Sequence, residues 1–66
     1  MKIRVNGAEE TVASGITVGA YLAARDVDPA HVVVELNGEI LSADAREGQV
    51  LTDADRMEIV TFVGGG

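Results

Sequence analysis

Residues 53–66 read DADRMEIVTFVGGG, and this stretch decides the fold. Asp53-Ala54-Asp55 has the composition of a tight turn, and the apolar run that follows it predicts a strand from Met57 to Val63. Side chains alternate across a strand. Met57, Ile59, Thr61 and Val63 therefore share one face, and Glu58, Val60 and Phe62 the other. With Met57 and Ile59 on the core side, Val60 and Phe62 are left partly exposed. Phe62 then either packs under a loop or forms an apolar docking patch beside the chain's end. A strand needs neighbours, so the rest of the chain has to supply a sheet.

Working outward, two similar units come into view. IRVNGAE near the start and VELNGEI in the middle each run an alternating apolar segment into Asn-Gly. That dipeptide is a strong hairpin signal, because a type I′ turn requires positive φ at both central residues. Ile3 and Val5 face one way and Lys2 and Arg4 the other, with a return through Glu9 to Val12. In the second unit Val32, Val34 and Leu36 share a face, and the return passes through Ile40 and Leu41. Between the hairpins, Thr17 reads as an N-cap, and Val18, Tyr21, Leu22 and Arg25 keep i, i+3, i+4, i+7 spacing. This predicts a helix of about ten residues ending before Asp28-Pro29, since a residue preceding proline avoids the α region. Gly19 weakens its propensity. A helix so short needs a sheet to lie on. SADAREGQ, residues 42–49, is open between a helical turn and a loop. The expectation is an α+β domain of order ββαββ, with one main helix packed on one face of a mixed sheet. The last strand lies beside the first. Residues 1–63 form the domain and 64–66 a flexible glycine tail.

Composition narrows the function. Sixty-six residues make one small domain, and no cysteine is available to staple it. Eleven acids against five bases give a net charge of −6, which argues against nucleic acid as a partner, because phosphate binding needs a basic face. The acidity serves solubility or steers the chain toward a basic protein partner. No apolar run approaches the ~20 residues a membrane span needs, and MKIRVNG carries no signal-peptide core. A cytoplasmic protein without a membrane partner is expected.

The glycines invite a chemical reading. Three of them extend about 10 Å and present no side chain that would block a narrow tunnel. They suit delivery of a terminal carboxylate into another protein's active site. A carboxylate is ionised at neutral pH and accepts nucleophiles poorly, so it needs activation, ATP-dependent adenylation being the usual route. The chain has no P-loop and no cysteine nucleophile. His31, the Glu9-Glu10 pair and the Asp53/Asp55 pair read most simply as surface or turn residues. A carrier acted on by other enzymes is expected rather than an enzyme, with no catalytic residue, metal or bound cofactor of its own.

Taken together, MKIRVNG, VVVELNGEI and DADRMEIVTFVGGG resemble the ubiquitin-like β-grasp proteins of the ThiS family, the sulfur carriers of thiamin biosynthesis. The resemblance spans the whole chain. It implies that an E1-like adenylyltransferase (ThiF type), using ATP and Mg, adenylates the carboxylate of Gly66. A sulfur donor system, fed by a cysteine desulfurase, then converts it to a thiocarboxylate, and a thiazole synthase (ThiG type) takes the sulfur. Gly64, Gly65 and Gly66 are implied as the tail entering the partner sites, and Val60 and Phe62 as the docking surface. Two positions depart from the pattern. Ala54 stands where such chains often have glycine, and is strained if the turn demands positive φ. Arg46 stands where an aromatic residue is common. A carrier for another pathway (molybdopterin, cysteine or siderophore type), a ubiquitin-like protein modifier and an idle glycine end remain as alternatives.

Overall fold

The computed structural model describes residues 1–62. Val63 and Gly64–Gly66 lie outside the described residues, and with them the expected strand end at Val63 and the tail. Five strands form one mixed sheet: β1 (Lys2–Val5), β2 (Ala8–Thr11), β3 (Val32–Leu36), β4 (Glu39–Ile40) and β5 (Arg56–Thr61), in the order β2-β1-β5-β3-β4. The hairpins β1–β2 and β3–β4 are antiparallel, and β5 lies between them, parallel to β1 and antiparallel to β3. Helix α1 (Val18–Ala24) covers one face, and a short α2 (Ala43–Gly48) precedes β5. The order is thus ββαββαβ. The segment left open at 42–49 is helical, capped by the Ser42 hydroxyl accepting from Ala45 N–H at 3.1 Å.

Both Asn-Gly turns adopt the expected backbone. Asn6 and Asn37 sit at φ 50°, followed by Gly7 at 83° and Gly38 at 89°. Their side chains also brace β5. The Asn6 carboxamide accepts from Ile59 N–H at 2.7 Å and donates to Ile59 C=O at 3.2 Å. The Asn37 carboxamide accepts from Arg56 N–H at 2.9 Å and donates to Asp55 at 3.0 Å.

Helix α1 starts at the expected cap, with Thr17 Oγ1 accepting from Ala20 N–H at 3.1 Å. It stops at Ala24, earlier than the proline implies. Asp26 takes φ 55°, Val27 N–H bonds Leu22 C=O at 3.0 Å and Asp26 N–H bonds Ala23 C=O at 3.2 Å. This is a Schellman ending with aspartate in the place glycine usually takes. Gly19, a weakness by propensity, is a packing requirement: a Cβ there would meet Glu47 atoms of α2 at 2.8 Å.

The core is aliphatic with one tyrosine. Ile3 and Val5 of β1, Val32, Val34 and Leu36 of β3, Met57 of β5, and Val18, Tyr21 and Leu22 of α1 meet with Leu51 between the sheet and α1. Of the predicted core face of β5, Met57 is fully buried, Ile59 is half-buried and Thr61 is exposed. One charged side chain joins the buried set. Arg46 of α2 turns inward and donates to Val32 C=O at 2.9 Å and to Pro29 C=O. The guanidinium ties α2 to the segment that enters β3, so both carbonyls are satisfied without water.

Candidate functional site

Among the described residues, no element covers the face of the sheet opposite α1. Register places its residues. Val33 of β3 lies opposite Val60 of β5, and Glu35 opposite Glu58; across the other edge of β3, Glu35 pairs with Ile40 of β4. Val60 is 60% exposed, Ile40 71%, Val33 40% and Phe62 43%. Both sequence-predicted docking residues, Val60 and Phe62, are therefore accessible and continue one alternation toward the chain's end. The structure adds Val33 and Ile40 to them. Register sets Val33 directly across from Val60 and Ile40 in the neighbouring row, opposite Glu35, and only the pairing of β3 with β5 and β4 reveals it.

Phe62 is the last of the described residues. It follows β5 directly, and its N–H donates to His31 C=O at 2.9 Å. Its ring meets the His31 imidazole edge-on, with centroids 6.4 Å apart and planes at 88°. His31 in turn lies 3.2 Å from the Asp28 carboxylate. Phe62 is thus held against a side chain at the start of β3 rather than buried under a loop. Gly64, Gly65 and Gly66 lie outside the described residues.

The turn before β5 is pinned from several sides. The Asp53 carboxylate accepts from Lys2 N–H at 2.9 Å, and Ala54 N–H donates to Lys2 C=O at 2.8 Å. The Asp55 carboxylate accepts from Thr52 N–H at 2.8 Å, from the Thr52 hydroxyl at 3.1 Å and from Asn37. Partial burial alone would raise the Asp55 pKa, but these hydrogen bonds prevail and hold it below the usual carboxylate value. The two aspartates are structural clamps, more than the solvated turn charges expected. Ala54 sits between them at φ 70°, the positive φ that makes alanine strained there.

On the helix side, Glu10 of β2 accepts from the Tyr21 hydroxyl at 2.8 Å and from the Arg25 guanidinium, which stacks over the Tyr21 ring at 5.0 Å. An inward-pointing carboxylate on an edge strand also discourages edge-to-edge pairing. Burial pushes the Tyr21 hydroxyl up to about 12, helped by the bond to Glu10 and that residue's charge, while Arg25 pulls the other way. These groups join the first hairpin to α1. Among the described residues no cluster of three or more metal-ligating side chains occurs, and no helix is long and apolar enough to cross a membrane.

Comparison with known proteins fits this geometry. The model of the ThiS family matches residues 3–66. The crystal structure of thiamine biosynthesis protein ThiS from Geobacter metallireducens superposes with a TM-score of 0.85 at 39% identity, covering all of both chains. A thiazole synthase of Paramagnetospirillum magneticum is 39% identical over all 66 residues, and one of Magnetococcus marinus 35%. The chain spans about a fifth of the length of those two curated relatives, 20% in each. The strand order, the single main helix on one face and these likenesses make the fold a ubiquitin-like β-grasp; the chain belongs to the ThiS family.

Proposed function

We propose that this chain is a sulfur carrier for synthesis of the thiamin thiazole, with the carboxyl group of Gly66 as the carrying atom group. One observation carries the reading above the others: the family match runs through Gly66 and so includes the three terminal glycines. A second supports the choice of acceptor. A stretch alike over the whole chain forms part of two thiazole synthases, which favours a thiazole synthase as the protein that takes the sulfur.

In this reading the carboxylate oxygen attacks the α-phosphorus of ATP in an E1-like adenylyltransferase, forming the acyl-adenylate and releasing pyrophosphate. Mg²⁺ and ATP belong to that partner. A hydrosulfide-level donor then attacks the acyl carbon and AMP leaves, giving the thiocarboxylate. If the sulfur arrives as a persulfide, an acyl disulfide forms first and a second thiol cleaves it. The chain's own residues contribute recognition. Val60 and Phe62, with Val33 and Ile40 beside them, dock on the partner, and Gly64–Gly66 reach its site. Fixing each tail residue costs about 1–2 kcal/mol, and burial of the exposed apolar row offsets it.

The test is the intact mass after incubation with the adenylyltransferase of the same genome, Mg-ATP and a sulfur donor. Exchange of one oxygen for sulfur on the whole chain is expected. An unchanged mass, or only branched adducts on other proteins, would overturn the proposal.

A further inference from the structure

A chain whose carboxyl group is activated carries an electrophile, and its own nucleophiles become a hazard to it. Lys2 is the sole lysine, and there is no cysteine. The other four basic side chains, Arg4, Arg25, Arg46 and Arg56, are guanidinium groups, which stay protonated and do not attack an acyl carbon. The two amines, Lys2 Nζ and the α-amine of Met1, both lie at the start of β1. The first is 3.6 Å from Glu9 of β2, on the side of β1 away from β5. The second donates to Val12 C=O at 2.9 Å. β1 runs parallel to β5 with Arg4 beside Arg56, so the amines lie at one pole of the sheet and Phe62 at the other. Two steps along β1 and six along β5 separate Lys2 from Phe62, about 26 Å at a rise of ~3.3 Å per residue. The segment from Phe62 to the Gly66 carboxyl carbon spans about 15 Å at full extension, and the five bonds of a lysine side chain about 6 Å. The two together fall about 5 Å short, and a tail that must first reverse direction spans less. His31 lies closer, its ring 6.4 Å from that of Phe62, but an acyl-imidazole remains an activated acyl group that sulfur can still displace.

Resting on the carrier reading above, we propose that this placement is a safeguard against self-acylation: the chain keeps its amines beyond the reach of its own activated carboxyl group. The reaction avoided is attack of an unprotonated amine on the acyl carbon of Gly66. An N–C bond forms, the C–O bond to AMP breaks, AMP leaves, and the extra proton on nitrogen passes to water. The product is a looped chain, closed by an amide and lighter than the free carrier by one water. Its carboxyl group is no longer available to ATP or to sulfur. A tether that can join two groups gives an effective concentration of about 1 mM, and one that cannot span them gives close to none. Against a protein concentration on the order of 10 μM, the reachable amine is favoured about a hundredfold. An amine near Phe62 therefore competes with the sulfur donor at every turnover, whereas Lys2 meets only the tails of other, dilute copies. Arginine supplies the fold's other cations without adding a nucleophile: Arg25 holds Glu10 and covers Tyr21, and Arg46 holds the carbonyls of Val32 and Pro29.

The experiment puts an amine within reach. Ala30 is exposed and adjoins His31, whose C=O accepts from Phe62 N–H at 2.9 Å; residue 30 thus lies within about 10 Å of Phe62, outside both the core and the apolar docking residues. Wild type, Lys2→Arg, Ala30→Lys and Ala30→Arg are prepared as full chains with an alkyl thioester on Gly66 in place of the adenylate. Their intact masses are followed without enzyme at about pH 9, where part of the lysine is unprotonated. Ala30→Lys should give the species lighter by one water, at a rate independent of protein concentration and about a hundredfold above wild type. Ala30→Arg has the same charge and no nucleophile, so it should decay to the carboxylate alone, as wild type and Lys2→Arg do. Closure of wild type that Lys2→Arg abolishes, at a rate independent of concentration, overturns the proposal and leaves the carrier reading standing. Closure of Ala30→Lys no faster than wild type does the same. Pyrophosphate release by wild type with the adenylyltransferase of the same genome and Mg-ATP is measured alongside. A chain that releases none overturns the carrier reading, and with it the safeguard, whatever the thioesters do.

Discussion

Replacing Ala54 with glycine should stabilise the protein. Among the described residues, four that are not glycine take positive φ: Asn6, Asp26, Asn37 and Ala54. The first three are asparagine or aspartate, which tolerate that region through local hydrogen bonds. Alanine has no such compensation, and the left-handed conformation costs it roughly 1–2 kcal/mol. The turn cannot relax to escape this. Ala54 N–H is fixed to Lys2 C=O at 2.8 Å, and the flanking Asp53 and Asp55 carboxylates hold Lys2 N–H and Thr52 N–H. Ala54 is exposed, so its methyl group adds little burial. Glycine removes the strain but enlarges the freedom of the unfolded chain, which returns about 0.4–1 kcal/mol. The net gain is about 0.5–1 kcal/mol, or about 2–8 °C in Tm for a domain of this size. Urea unfolding of wild type and Ala54→Gly, with Ala54→Val as the opposite arm, checks it. The midpoint should rise for glycine and fall for valine at constant slope. A glycine variant no more stable than wild type, or a valine variant equal to it, would refute the argument from strain.

Three further outcomes follow from the packing. Arg46→Met keeps the volume but strands the buried Val32 C=O and frees the part-buried Pro29 C=O to meet water; at about 1–3 kcal/mol for a buried acceptor left unpaired, urea unfolding should show a loss of about 1–3 kcal/mol. Phe62→Ala removes a ring that is 43% exposed, so it should cost about 1 kcal/mol, well short of the 3–5 kcal/mol of a core phenylalanine, while pyrophosphate release by the adenylyltransferase drops sharply. Tyr21 is the sole tyrosine, so tyrosinate absorbance titrates it cleanly. The folded pKa of about 12 lies above the unfolded value of about 10. The folded state therefore holds the proton longer, and the stability this gives is complete below pH 10 and lost as pH rises from about 10 to about 12. A folded-state midpoint near 10 would contradict the Glu10–Tyr21 geometry.

What could be read from the sequence was local. Asn-Gly fixed both hairpin turns because two successive positive φ angles are a property of the dipeptide itself. Thr17 marked the helix start for the same kind of reason, a side chain reaching three residues ahead. Alternation in the last strand separated Met57 from Val60 correctly. The unread parts depend on neighbours far along the chain. The helix ends on Asp26 because Val27 and Asp26 close back on Leu22 and Ala23, and aspartate is a weaker stop signal than glycine. Gly19 looked like a flaw until α2 arrived against it. Arg46 was read only as a departure from a common aromatic, and its inward turn has meaning only beside Val32 and Pro29. Val33 and Ile40 were missed too, since strand pairing alone sets Val33 across from Val60 and Ile40 one row away, opposite Glu35. Asn6 and Asn37 were read as turn formers alone, while their amides also brace the last strand.

The position of β5 has a consequence for biosynthesis. The last strand in sequence is the middle strand of the sheet, flanked by β1 and β3. Neither hairpin pairs with the other except through β5, so the non-local pairings that close the sheet all wait until β5 has been made. A chain cut short within β5 leaves both hairpins with open edges and an uncovered core, and such a product is a substrate for degradation. Closure of the sheet therefore reports that β5 is present. Any molecule whose sheet is closed has been translated through Thr61, so products cut short within β5 are removed before they can meet a partner.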